Sequence, residues 1–350
     1  MKPTHASPHI SVRPQWLALG REEIVLPDLP IIDPHHHLWD RPGNRYLLDD
    51  LKADLDSGHR VLATMYVQCR SMYRQNVDPK FQSIGEVEFA SGIGAQFASG
   101  LYGEALGCAG IVGFADLLLG DGVEDVLLKL IAAGGGRLKG IRNTTAWHSH
   151  PDVVSNPIPP PKGLLADANF IEGARLLARH DMTLDVWAYH TQLGEVYDLA
   201  LSCPHTTIVI DHLGGPLGVG PYAHERKAVW TEWFESIRKI ALLPNVRMKL
   251  GGFGLKVLGY RYNELPLPPD SDTLVRDWKP YIETLIEAFG PERCMFESNF
   301  PVDKGMFSYH VMWNAFKKLT LSCSASERNA LFFQTAIDTY SLDASLIQSG

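Results

Sequence analysis

Short apolar runs rich in Val, Ile, Leu and Met recur along this chain, each followed by a loop and then a longer segment whose apolar residues fall at three-and-four spacing. The runs predict strands over Leu29–Asp33, Val61–Gln68, Ala109–Phe114, Arg137–Asn143, Thr183–Tyr189, Thr206–His212, Val246–Gly251 and Arg293–Asn299. The longer segments predict helices, among them Val123–Ala133, Asn169–Arg179, Trp230–Ala241 and Trp278–Phe289. Strand followed by helix eight times over is the pattern of an α/β fold, a single (β/α)8 TIM barrel. A doubly wound sheet is the rival, but it wants a glycine-rich phosphate turn after the first strand, where this chain has "DPHHHLW".

Four irregular insertions follow individual strands: Arg70–Gly107, Trp147–Gly163, Gly214–Arg226 and Gly252–Asp277. In a barrel they would form long loops on the C-terminal face, where loops cover substrate. No internal repeat and no linker divides the chain. The expected organisation is an N-terminal arm over residues 1–28 and one barrel domain over 29–350.

The 350 residues carry a formal charge of −8 with their 32 Lys and Arg scattered, so there is no basic tract to neutralise phosphates, and nucleic acid is not an expected partner. The opening "MKPTHASPHISVRPQW" lacks the apolar core of a signal peptide, and no apolar run is long enough to span a bilayer. A cytoplasmic enzyme with a small-molecule substrate is expected, either alone or as a homo- or hetero-oligomer. Five cysteines, far apart and without a C-x-x-C pair, argue against a disulfide framework or a cysteine zinc site.

Chemistry in a barrel gathers at the carboxyl ends of the strands. The first end gives Asp33, His35 and His37, which share a face by period-two alternation while His36 points away. The fourth gives Lys139 and Arg142, the fifth Tyr189 and His190, the sixth Asp211 and His212, the seventh Lys249 before Gly-Gly, and the eighth Glu297 and Asn299. Converging imidazoles and carboxylates suit a hard-to-borderline divalent metal. Taken singly, each histidine could equally be a hydrogen-bonded loop ring. His148 and His150 read as lid residues. Arg142 is a candidate for holding a substrate carboxylate bidentately.

The order "DPHHH", "KGIR", "DHLGGP" and "SNFPV" resembles the amidohydrolase-related family of the amidohydrolase superfamily, from about Leu29 to Leu342. The resemblance implies a TIM barrel and a hydrolase of lactones or related carbonyl compounds, since the family includes enzymes of sugar lactones and of pyrone or muconolactone carboxylates, besides decarboxylases and hydratases. Some members use a divalent metal and some none. It also implies that the strand-eight aspartate, which binds metal and takes a proton from water, is replaced here by Asn299. An amide is no base at neutral pH. Glu297 or Asp303 could substitute, and Glu86 and Glu88 are further carboxylates.

The leading expectation is a metal-dependent lactonase. In it His35 and His37, with His190 or His212, hold Zn, Mn or Fe; Glu297 or Asp303 accepts the proton; and Lys139, Arg142 and Tyr189 orient a carboxylate-bearing substrate. The runner-up is a dinuclear Fe/Fe or Mn/Fe monooxygenase of the same superfamily, which would tolerate Asn299 and for which Glu86, Glu88 and Glu297 would be extra carboxylate ligands. A non-catalytic barrel is the third possibility.

Overall fold

The computed structural model describes residues 9–348. Eight strands lie parallel in one sheet in sequence order. They are β1 (Ile31–His36), β2 (Val61–Val67), β3 (Leu106–Gly113), β4 (Leu138–Asn143), β5 (Thr183–Val186), β6 (Ile208–Ile210), β7 (Val246–Leu250) and β8 (Cys294–Phe296). Each is followed by a helix: α1 (Leu48–Leu55), α2 (Ile84–Ala98), α3 (Glu124–Gly134), α4 (Ala168–Leu177), α5 (Leu193–Ser202), α6 (Arg226–Ile240), α7 (Ser271–Phe289) and α8 (Tyr309–Leu319). The sheet closes just beyond β8, where the Asn299 amide donates to the His35 carbonyl at 2.9 Å and the His37 amide to the Phe300 carbonyl at 2.7 Å. The result is a nearly closed (β/α)8 barrel. Among the described residues no helix is long and apolar enough to cross a membrane.

The strands read as unbroken apolar runs because both of their faces are buried, one against the helices and one inside the barrel. The first insertion is less irregular than expected. It contains α2, a helix of 15 residues whose glycines disguise it. Gly85 and Gly94 are there because a Cβ would meet the Met72 and Cys108 carbonyls at 2.4 and 2.8 Å. The strands themselves are shorter at their carboxyl ends than expected: β5 stops at Val186, β6 at Ile210 and β8 at Phe296. The polar residues therefore stand on turns just above the hydrogen-bonded ladder.

The floor of the barrel is closed by the segment that follows α8. Phe333, Ala336, Ile337, Tyr340 and Leu342 pack with barrel-lining residues such as Ile32, Met65, Val112 and Val209. The N-terminal arm clips along the outside of the barrel, held by Trp16 Nε1 on the Leu265 carbonyl (3.2 Å) and by the Val25 amide on Asn314 Oδ1 (2.9 Å). It brings His9 to the mouth, where its ring stacks on Trp39 at 5.6 Å.

Candidate metal and hydrolytic centre

The first two histidines of the run belong to β1 itself, and His37 follows directly on its end. Pro34 supplies no amide donor, and the pairing with β2 shifts register between Asp33 and His36. His36 faces the helix layer, bonded through Nε2 to Thr64 Oγ1 at 2.8 Å. His35 and His37 face the mouth with their Nε2 atoms 3.3 Å apart. The Nδ1 of His37 can only donate to the Val67 carbonyl, 2.7 Å away, so its Nε2 carries the lone pair. Burial, then the neighbouring His35 and Arg142, push the His37 pKa well down and keep the ring neutral. The His212 ring lies 4.6 Å from that of His35, centroid to centroid.

Glu297 links two of these imidazoles. Its Oε1 accepts from Nδ1 and from the backbone amide of His212 at 2.7 and 3.0 Å, and its Oε2 stands 2.7 Å from His35 Nδ1. Burial opposes its charge, but His212 and His35 win and hold the carboxyl well below the usual range. A carboxylate so engaged is a poor proton acceptor, so Glu297 orients imidazoles instead of serving as the expected base. Room for it comes from the pair after β7: a Cβ on Gly251 would meet the Glu297 carbonyl oxygen at 2.4 Å, and one on Gly252 (φ +73°) would meet the His212 ring at 2.6 Å.

Beneath the imidazoles lies a charged layer. Lys249, fully buried, bonds Asp185 at 2.7 Å and Asp211 at 3.2 Å. Burial works against its charge, yet the facing carboxylates raise its pKa. Asp185 also accepts from Tyr340 OH at 2.7 Å, which ties the layer to the barrel floor. Asp211 takes Arg142 Nη1 at 3.1 Å, while Arg142 Nη2 donates to the Gln68 carbonyl at 2.6 Å.

Other expected residues stand elsewhere. Lys139 sits low on β4 and bonds the Ser341 carbonyl at 3.1 Å, away from the mouth, so it cannot orient substrate there. Glu88 is exposed and paired with Arg74, so it is no metal ligand. Glu86, two positions earlier and on the other side of α2, is buried; its Oε1 accepts from Tyr66 OH, the Cys69 amide and the Ser71 amide at 2.8, 2.8 and 2.9 Å. His190 packs on Tyr222 and accepts from the Leu217 amide at 3.3 Å, outside the imidazole group; burial lowers its pKa to about 4. The Tyr189 hydroxyl is buried against Ser155 Oγ at 2.7 Å. Asn299 donates to Asp303 at 2.7 Å, and Asp303 accepts from the Gly254 amide at 2.8 Å. Burial pushes the Asp303 pKa well above the usual carboxylate value.

Asp33 accepts from the Ser298 amide (2.9 Å) and Tyr309 OH (3.0 Å), yet burial outweighs these bonds and raises its pKa to about 6. A carboxyl raised on folding stabilises the fold below its unfolded pKa, and that stability is lost as pH rises through the folded value. Unfolding free energy is therefore expected to lose about 2 kcal/mol between pH 4 and pH 6 on account of Asp33. Denaturant titrations of Asp33→Asn across this window should show a slope flatter by that amount; an unchanged slope would disprove the assignment.

The donors fit a divalent ion. His35, Asp211 and His212 each offer a ligand atom within 4.8 Å of the others, and they are the one such set among the described residues. Asp211 Oδ1 and Glu297 Oε2 are buried without a well-aligned hydrogen bond. The 3.3 Å between the Nε2 atoms of His35 and His37 is the separation that two imidazoles about 2.0–2.1 Å from one tetrahedral ion would have. Among the described residues no second group of ligands accompanies this set, so the oxygenase reading gains no support from the structure.

Above His37 and Arg142 opens a cavity of about 260 Å³, walled in part by Trp39, Arg41, Arg70 and Thr144. Larger hollows of about 430 and 740 Å³ touch none of the clustered imidazoles. Arg41 and Arg70 were not singled out by sequence reasoning. The only available signal was a pair of arginines just beyond the first two strands.

A family model described as amidohydrolase matches residues 32–342. The uncharacterized protein y4mH of Sinorhizobium fredii is 31% identical over 336 residues, covering 89% of this chain and 99% of that protein. An L-fucono-1,5-lactonase of Burkholderia multivorans is 26% identical, covering 89% and 96%. A crystal structure of a Burkholderia multivorans amidohydrolase with bound zinc superposes with a TM-score of 0.68 at 24% identity, covering 89% of this chain and 99% of that one.

Proposed function

Because the chain belongs to the amidohydrolase family and is a hydrolase, we propose that it opens the ring of a small carboxylate-bearing lactone with the help of one divalent metal ion. The observation that carries this reading is the buried group of His35, His37 and His212, of which His37 lines an arginine-walled cavity. The L-fucono-1,5-lactonase relatives support a lactone as substrate and the zinc in a related structure supports the metal, while the carboxylate is inferred from the arginines of the cavity.

His35 and His37, whose Nε2 atoms lie 3.3 Å apart, would hold the ion with Asp211 beside His35, and its part would be to polarise the carbonyl and acidify water. The protein's own share follows from its hydrogen bonds. His212 gives its Nδ1 hydrogen to Glu297, which leaves Nε2 bare to take a proton from the attacking water. Glu297 stabilises the imidazolium so formed. As the new C–O bond forms and the ring C–O bond breaks, His212 returns the proton to the departing alkoxide oxygen. Arg142, fastened to Asp211 and the Gln68 carbonyl, keeps the carboxylate aligned beside His35.

A panel of γ- and δ-lactones, with and without a carboxylate, followed by acid release in a weakly buffered pH indicator, tests the proposal. Carboxylated lactones are expected to be opened, activity should fall at least tenfold on chelation, and a divalent metal should restore it. Absence of ring opening across the panel in metal-loaded protein would overturn the reading.

A further inference from the structure

We propose that Arg41 and Arg70 form a carboxylate-receiving pair at the far wall of the cavity, so that the substrate is held by its acid group at one end while its carbonyl reacts at the imidazoles. The pair is inferred from charge and geometry; only its link to turnover rests on the lactonase reading above.

The chain carries 40 acidic residues against 32 Lys and Arg, yet the cavity wall contains three arginines and no aspartate or glutamate. Arg142 is already engaged by Asp211 and the Gln68 carbonyl. Arg41 and Arg70 are different: among the described residues neither has a carboxylate partner. Arg41 lies over the Trp39 ring at 4.2 Å and donates through Nη2 to the Cys69 carbonyl at 2.7 Å. Arg70 makes one long contact, from Nη2 to Thr144 Oγ1 at 3.4 Å. A guanidinium has five N–H donors, so both retain donors for an anion.

The pair is also built in place. Arg41 grips the carbonyl of the residue immediately before Arg70. Arg70 itself is held at φ +64°, a conformation that a non-glycine residue takes only when its neighbours enforce it. The enforcing group is Glu86, whose buried Oε1 takes the amides on both sides of Arg70, those of Cys69 and Ser71. This gives the buried Glu86 carboxyl a purpose outside the metal site. Trp39, buried between the His9 and His37 rings at 5.6 and 5.8 Å, gives the Arg41 guanidinium a fixed aromatic face to rest on.

Malonate is the probe, with dimethyl malonate as its neutral counterpart; both are titrated calorimetrically into wild type, Arg41→Gln, Arg70→Gln and the double variant, with circular dichroism to check folding. Malonate should bind saturably to wild type and the diester should not, with a loss of about tenfold for each single variant, as expected for charge-assisted hydrogen bonds. Arg70 is exposed, so its variant folds even if the double variant does not. Absence of malonate binding to wild type, equal binding of the diester, or unchanged affinity in folded Arg70→Gln would overturn the pair. If no lactone is turned over while these affinities behave as expected, the lactonase reading fails and the carboxylate site stands.

Discussion

Glu297→Gln is expected to reduce turnover at least ~100-fold while leaving the protein folded. The carboxylate bridges two imidazoles, and an amide of the same size can accept only through one oxygen. Facing His35 and His212 with an NH2 group forces one ring to change tautomer or rotate, which turns a lone pair away from the mouth. Partners that orient metal-binding histidines typically account for 10–100-fold in metal affinity, and the loss of an imidazolium's counter-charge adds to the rate effect. The same variant should therefore also release metal more readily in competition with a chromogenic chelator. A variant with wild-type kcat and metal affinity would show that Glu297 is only a packing residue. Asn299→Asp, by contrast, should cost stability more than turnover, because position 299 faces the buried Asp303 rather than the imidazoles and a carboxylate there loses the donated hydrogen bond.

Lys249→Met should produce the largest loss of stability. Lys249 is fully buried and bonds Asp185 and Asp211; removing it leaves Asp185 with the Tyr340 and Thr183 hydroxyls and Asp211 with Arg142 and the more distant His35 Nδ1 at 3.5 Å. Breaking a buried pair by deleting one partner costs about 3–5 kcal/mol. Urea denaturation should read this as a lower midpoint with an unchanged slope. The sign of the pH dependence is fixed as well: the exposed deficit is a buried unpaired carboxylate, which protonates as pH falls, so the gap from wild type should narrow toward pH 5 and widen above pH 7. The double variant with Asp185→Asn should recover part of the loss. A single variant within 1 kcal/mol of wild type at pH 8 would exclude this role.

The barrel was legible because its strands, buried on both faces, appear as separate apolar runs, and because a histidine doublet at residue spacing two needs only local geometry to face one way. What was misread depended on position along an element. Lys139 and Arg142 are three apart, so on a strand they point to opposite faces, and Lys139 lies at the other end of β4. Glu297 and Asn299 are two apart but do not share a face in the expected sense, because the strand ends at Phe296 and Asn299 adopts φ +55°. Glu86 and Glu88 sit on a helix rather than a loop, where a spacing of two turns them to opposite sides. Arg41 and Arg70 escaped notice because their meeting depends on how two loops fold over Glu86, which no periodicity encodes.

Tyr340 gives the barrel an order of assembly. Its hydroxyl reaches up through the floor to Asp185, and the segment that carries it leaves the ribosome only after all eight strands. Until then the Lys249–Asp185 pair can be reached by water from below, and the strands around it carry opposed charges that are still hydrated. Dehydration of this charged layer is thus expected to come late in vectorial synthesis, with the docking of one aromatic side chain. A nascent chain arrested before residue 330 should hold its strands in a looser, protease-sensitive barrel, and release of the following dozen residues should tighten it in one cooperative step.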